Sequence, residues 1–260
     1  MLSTESLKGK RALVTGAGRG IGRACAVELD RCGAELVITA RSRDELDSLA
    51  EELHSCCAVT QDLSRVDELE DFVHRIQSQA GPVDILVNNA GSYHTDHLDD
   101  ADFAAWQNAL DLNLSSPYRL TQLLAVPMKE RNWGRVVNIS SISGQRGEAY
   151  GASYSSTKFG LLGLTQALAL ELAEHGVTVN AVCPGWVDTK LAREQLNDPH
   201  WCKLNGIDVE ESVDIATLSV PQKRLLAPAE VAYLVSFLCT EGAFGITGQS
   251  INICGGLSLT

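Results

Sequence analysis

The chain has 260 residues, 27.9 kDa and 45% hydrophobic content, enough to bury a core in one α/β domain without disulfide or metal staples. A formal charge of -12 and a pI near 4.9 exclude a nucleic-acid partner gripped through a clustered basic surface, so any bound phosphate must be held locally. Residues 1–10 lack the apolar centre of a signal peptide and no stretch reaches the roughly eighteen uninterrupted apolar residues of a membrane span, which predicts a cytoplasmic protein with no membrane partner.

Short β-rich runs alternate with longer amphipathic stretches: RALVT (11–15), ELVITA (35–40), CAVT (57–60), DILVNN (84–89), RVVNIS (135–140), VTVNAV (177–182) and SINIC (250–254). The runs are nearly continuous in Val, Ile and Leu, as strands buried on both faces require, and the intervening helices imply βαβ crossovers. The expectation is a doubly wound, seven-stranded parallel sheet of Rossmann-like α/β class. It forms a single domain over 1–260, with its ligand at the carboxyl ends of the strands.

The first run ends in Thr15-Gly16-Ala17-Gly18-Arg19-Gly20-Ile21-Gly22, after which a helical pattern begins. Such a turn presents backbone N–H groups and a helix N-terminus to a pyrophosphate. Taken alone it also fits a tight β-to-α connection; its place after the first parallel strand favours a nucleotide. At the end of the second run, where an NAD site carries an acid for the ribose hydroxyl, stand Ala40, Arg41, Ser42 and Arg43. Loss of the carboxylate and gain of guanidinium groups suit a 2′-phosphate, with Arg19 in reach of the same group and NAD the lesser alternative. Asp62, followed by Leu63, either accepts from an adenine amino group or caps the turn before Ser64-Arg65.

The fourth run closes in Asn88-Asn89-Ala90-Gly91, small enough for a cofactor to approach the backbone, with Asn88 assigned to tying strands together. Just beyond it, Tyr93 and His94 are candidates for a substrate pocket, while the other five histidines are read as surface residues. Asn113 interrupts a helical pattern running from Trp106 to Leu124, a poor position for asparagine, which suggests a kink and a held water near a lysine, with a merely exposed Asn the alternative. Ser141 follows the fifth run, and thirteen residues later begins Tyr154-Ser-Ser-Thr-Lys158. A Tyr and a Lys four apart share a helix face, so the ammonium is expected to lower the phenol pKa toward the range of a usable acid or base.

Pro184-Gly185-Trp186-Val187-Asp188-Thr189 places another turn at the sheet's carboxyl edge, either a simple turn or a dock for a nicotinamide carboxamide, with Trp186 facing substrate. The long mixed stretch 190–224 is read as a substrate lid, with an ordinary helical excursion as the alternative. The eight cysteines (Cys25, Cys32, Cys56, Cys57, Cys183, Cys202, Cys239, Cys254) show no zinc spacing, so no metal is expected and they are read as buried small hydrophobes.

Together the glycine turn, Asn-Asn-Ala-Gly, Asn113, Ser141, Tyr-x-x-x-Lys and the Pro-Gly turn, in this order over essentially the whole chain, resemble the short-chain dehydrogenase/reductase family. The resemblance implies that Tyr154 is the general acid, that Ser141 orients the carbonyl oxygen, that Lys158 binds the nicotinamide ribose, and that Asn113 holds a relay water. It further implies an NADPH site built from Gly16, Gly18, Arg19, Gly20, Ile21, Gly22, Arg41, Asp62, Leu63, Asn89, Ala90, Gly91, Tyr154, Lys158, Pro184, Gly185, Val187 and Thr189. Substrate would meet Ser141, Tyr154, Trp186 and His94. A homotetramer is implied, with the apolar pattern from Phe159 to Leu172 as its interface.

GRVVNISSISG, VNAVCPGWVDT and INICGGL are most similar to 3-oxoacyl-thioester reductases and the ketoreductases of aromatic polyketide synthesis. Of the two arginines by which acyl-carrier reductases hold their carrier, Arg131 matches one and His175 replaces the other. After Asn-Asn-Ala-Gly the polyketide enzymes' Arg-Pro-Gly-Gly segment is replaced by Ser92-Tyr93-His94-Thr95. The expected function is NADPH-dependent ketone reduction. NAD-dependent oxidation of a hydroxy acid, sugar or cyclic alcohol is the alternative, and a nucleotide-sensing protein without turnover the minor one.

Overall fold

A computed structural model describes residues 2–99 and 102–259. Among these residues, seven parallel strands form one sheet: β1 (Arg11–Thr15), β2 (Glu35–Ala40), β3 (Cys56–Thr60), β4 (Ile85–Asn88), β5 (Gly134–Ile139), β6 (Val177–Pro184) and β7 (Ser250–Ile253). Their spatial order is β3-β2-β1-β4-β5-β6-β7. The sequence runs match within a residue or two; β6 extends to Pro184, where proline removes a donor and the strand stops.

Helices α1 (Gly20–Arg31), α2 (Arg43–Ala50), α3 (Leu69–Ala80), α4 (Phe103–Leu110), α5 (Ser116–Glu130) and α6 (Ala152–Leu172) alternate with the strands. Three short helices, α7 (Lys190–Leu196), α8 (Pro199–Asn205) and α9 (Ser212–Ser219), follow β6, and α10 (Pro228–Leu238) precedes β7. Because strand side chains alternate, Ala12, Val14, Ile38 and Val87 pack on one face with residues of α1, α2 and α10, whereas Leu13, Val37, Leu86 and Val136 pack on the other with α3, α5 and α6. Both faces are covered, which is why the strands carry continuous apolar runs.

The chain order reverses between β1 and β4, which lie side by side in register (Val14 opposite Val87). Loops leaving these two strands at their carboxyl ends turn in opposite directions and leave a crevice. Residues 190–224 form α7 to α9 around a small core of their own, Leu196, Trp201, Cys202 and Ala216, against which Tyr93 and Trp186 pack.

Candidate active site

A cavity of about 730 Å³ opens at this crevice, lined from the glycine turn, the loops after β4, β5 and β6, and α7 and α8. Gly16 turns the chain with φ +61, and a Cβ on Gly22 would overlap the Gly16 carbonyl oxygen and the Asn89 amide, so the turn tolerates no side chain there. The amide of Asn89 donates to the carbonyls of Thr15 (2.8 Å) and Gly16 (3.1 Å), and the Thr15 hydroxyl accepts from the backbone N–H of Asn89 and Ala90. Asn88, Asn138 and Thr165 form a buried chain of amides and hydroxyl across β4, β5 and α6, the structural role expected of Asn88.

Helix α1 has no side-chain cap and no acid in its first turn, so the N–H groups at its start and its positive dipole end are left for an anion. Arg41, exposed at the rim, makes no hydrogen bond or ion pair among the described residues. These are observations a dinucleotide fits: a cradle closed to side chains, orphan donors, and a partner-free guanidinium where the strand-end acid is absent. Arg19 instead faces Glu45 of α2 at 3.5 Å, and the same carboxylate lies over Gly18. Arg43 points away and pairs with Asp47 one turn on (2.8 Å). Asp62 lines the cleft with one oxygen committed to Ser64, accepting from its N–H (3.0 Å) and hydroxyl (2.8 Å). Leu63, Pro184, Gly185 and Val187 also line the cleft, and the Thr189 methyl lies over Gly20 while its hydroxyl caps α7 by accepting from Ala192 N–H (3.2 Å).

Ser141, Tyr154 and Lys158 meet on the inner wall. Ser141 leaves β5 and its Oγ accepts from the Ser143 N–H at 3.0 Å. Lys158 is 5% exposed; its Nζ donates to the Ile139 carbonyl at 2.8 Å and lies 5.5 Å from the Tyr154 ring centre. Burial pulls the lysine down to about 8. The tyrosine behaves opposite to the sequence expectation: desolvation pushes it up to about 12, the Glu148 charge adds to the rise, and only the hydrogen bond to Ser141 opposes it. The ammonium lies over the ring and donates to a strand carbonyl, and desolvation dominates the phenol's shift.

Asn113 lies in a π-helical turn, Asp111–Ser115, which interrupts the α-helical pattern between α4 and α5. Its Oδ1 accepts from Ser92 N–H (2.9 Å) and its amide donates to Ser92 O (3.0 Å) and Thr157 Oγ1 (3.3 Å), pinning the loop after β4 onto α6. Asn113 and Gly22 stand behind the cleft wall. The pocket assignment of His94 needs correction: an extended segment turns successive side chains to opposite sides, so Tyr93 lines the cavity and His94 is exposed. His97 also departs from its surface reading, being half-buried and stacked on Tyr150 at 5.8 Å.

The substrate half is also lined by Ser143, Glu148, Gln195 and Trp201, the last two within the stretch 190–224 read as the lid.

A profile of short chain dehydrogenases matches residues 10–200. The 3-oxoacyl-acyl-carrier-protein reductase of Pseudomonas aeruginosa is 36% identical over 260 residues, covering 98% of this chain and all of the relative. D-beta-hydroxybutyrate dehydrogenase of Rhizobium meliloti is 34% identical over 254 residues, covering 95% and 98%. A crystal structure of a variant actinorhodin polyketide ketoreductase with NADPH superposes with a TM-score of 0.91 at 38% identity over the full length of both chains. With the crevice, the Ser/Tyr/Lys wall and these likenesses together, the chain belongs to the short chain dehydrogenase family. Among the described residues no helix is long and apolar enough to cross a membrane.

Proposed function

We propose that this protein reduces a ketone, thioester-linked or polyketide-like, to a secondary alcohol with NADPH. The observation that carries the reading is the meeting of Ser141, Tyr154 and Lys158 in one cleft with a side-chain-free glycine cradle and the unpaired Arg41. When bound, NADPH supplies the hydride. Gly16, Gly18, Gly20 and Ile21 would cradle its pyrophosphate with Gly22 closing the turn behind them, Arg41 its 2′-phosphate, Asp62 and Leu63 its adenine, and Asn89 to Gly91 with Pro184 to Thr189 its nicotinamide half.

Ser141 holds the carbonyl oxygen by hydrogen bond and stabilises the charge that develops there. Tyr154, with a pKa near 12, is a phenol at neutral pH and so has the proton that reduction requires at that oxygen. Lys158 binds the ribose and, when charged, favours the phenolate left behind. Asn113 positions the loop beside Gly91, 3.2 Å from where a Cβ would stand, and so keeps the approach to the lysine open for a relay water. The 190–224 helices act as the lid.

The site argues for substrate delivered without a tight carrier contact: Arg131 is occupied by Val83 O (2.8 Å) and Asp84 (3.0 Å), and His175 pairs with Glu174 at 3.6 Å. We place the protein in the cytoplasm as a homotetramer. One observation favours the second reading, NAD-dependent oxidation: Glu45 brings a carboxylate to the phosphate side of the cleft. Steady-state rates over acetoacetyl thioesters, cyclic ketones and aromatic diketones, run with NADPH and with NADH, separate the two. NADPH is expected to be preferred by about tenfold or more; equal or better use of NADH overturns the cofactor assignment.

A further inference from the structure

Deep in the substrate half of the cleft the Glu148 carboxylate collects three neutral donors and no cation. Tyr93 Oη (3.3 Å) and Gln195 Nε2 (3.0 Å) donate to Oε1, and Ser143 Oγ (3.1 Å) donates to Oε2. An ionised carboxylate offers about four acceptor positions, so one on Oε2 is left open. A half-buried carboxylate with no positive partner among the described residues repels any further anion. Its pKa is accordingly raised by burial, with the surrounding donors opposing the rise.

A second observation lies beside it. Trp201 is 7% exposed and lines the cavity, yet its indole Nε1 completes no hydrogen bond. The N–H approaches Glu148 and Tyr93 closely enough to lower the pKa of both, short of completing a hydrogen bond to either. A buried indole N–H without an acceptor normally marks a place for water or ligand. One open acceptor and one open donor side by side match a hydroxyl group, which both donates and accepts. A carboxylate can satisfy only the indole, and it would bring a second negative charge against the first.

Resting on the ketoreductase reading, we infer that Glu148 and Trp201 form a recognition subsite for an uncharged hydroxyl on the ketone substrate and exclude substrates bearing a free carboxylate. The hydroxyl donates to Glu148 Oε2 and accepts from Trp201 Nε1, with Tyr93 and Trp186 as the aromatic walls. Tyr93 also packs edge-on against Tyr154 at 5.2 Å, so the subsite adjoins the reacting oxygen. Trp186 meets Trp201 edge-on at 6.3 Å. The hydroxyl is either aliphatic, as on a polyol, or phenolic, as on an aromatic polyketide, and the experiment distinguishes them.

The test compares kcat/KM with NADPH for two ketone scaffolds, cyclohexanone and tetralone, each unsubstituted, hydroxylated and carboxylated on the side of the ring away from the carbonyl. In the wild type the hydroxylated ketone of the fitting scaffold is expected to exceed the carboxylated one by about a hundredfold. In Glu148→Gln that ratio should fall by at least about tenfold. Trp201→Phe keeps the aromatic wall, removes the N–H, and should lower the preference for hydroxylated over unsubstituted ketone by about three- to tenfold. NADPH binding by fluorescence establishes that each variant is folded. Ratios that are the same in wild type and in both variants overturn the subsite. Absence of any ketone reduction by a wild type that binds NADPH overturns the ketoreductase reading, and the inference with it.

Discussion

Lys158 gives the site two pH dependences of opposite sign. Its pKa in the fold, about 8, lies below the ordinary lysine value of 10.5, so at neutral pH the fold carries a buried charge it would rather lose. Between these values the unfolded chain binds more protons, so the lysine's contribution to stability improves as pH rises from about 8 toward 10.5. Activity moves the other way, because the ammonium that favours the phenolate is lost over the start of the same range. Lys158→Met is expected to be more stable than wild type at neutral pH in urea titrations, with the gap closing as pH rises, while wild-type kcat/KM falls above pH 8. A gap independent of pH would show that the lysine is not the titrating group. Arg41 offers a cleaner test of charge: Arg41→Ala should weaken NADPH by about ten- to a hundredfold in fluorescence titrations and NADH by about threefold or less.

The Tyr154 and Lys158 pair was legible once its shared helix face was read together with Ser141, Asn113 and the glycine turn, the spacing alone being ambiguous. The direction of the tyrosine shift was not, because desolvation depends on what the fold packs around the ring. Glu148 escaped detection for a related reason. Its hydrogen-bond partners lie 55, 5 and 47 residues away, and no local pattern separates such a carboxylate from a solvated one.

At the scale of elements, the break between α4 and α5 shows how a poor helix former is used. Asn113 is 1% exposed, and its amide satisfies both the N–H and the carbonyl of Ser92, groups that a regular helix would leave alone. Asn113→Leu leaves those two backbone groups without partners and should cost about 1–3 kcal/mol in chemical denaturation, with a larger fractional loss of kcat than of NADPH affinity. Unchanged stability would mean the amide is replaceable by water. The asparagine stood out in the sequence because the helical pattern around it was otherwise regular.

Residues 190–224 were read as a substrate lid, or else an ordinary helical excursion, without their internal helices. The caps that shape them were nonetheless present: Thr189 before α7, Asp198 with Pro199 at the start of α8, and Gly206 in the left-handed conformation at its end. What the sequence withheld was the packing of these short helices on Tyr93 and Trp186, which turns an excursion into one wall of the cleft.

On the scale of the whole molecule, the sheet was readable because parallel strands buried on both faces must be apolar throughout, and the chain alternates such runs with helices. The outer surface is less uniform. Tyr118 and Val126 on α5 and Phe159 and Leu170 on α6 are 47%, 60%, 45% and 85% exposed, large apolar groups for helices that already cover the sheet with their other faces. Burial of these faces against other copies of the chain is the proposed basis of the homotetramer. The double substitution Phe159→Arg with Leu170→Arg is expected to shift the sedimentation coefficient from tetramer to a smaller species; a wild type that sediments as a monomer contradicts the assembly.

The central claim is that one phenol delivers the proton while NADPH supplies the hydride, and Tyr154→Phe isolates it with little change in shape. Single-turnover NADPH oxidation by this variant, on the best ketone of the wild type, is expected to slow by about a hundredfold to ten-thousandfold, with the dissociation constant for NADPH changed by about threefold at most. Turnover within about twofold of the wild type, at saturating NADPH, would contradict the assignment of Tyr154 as the acid.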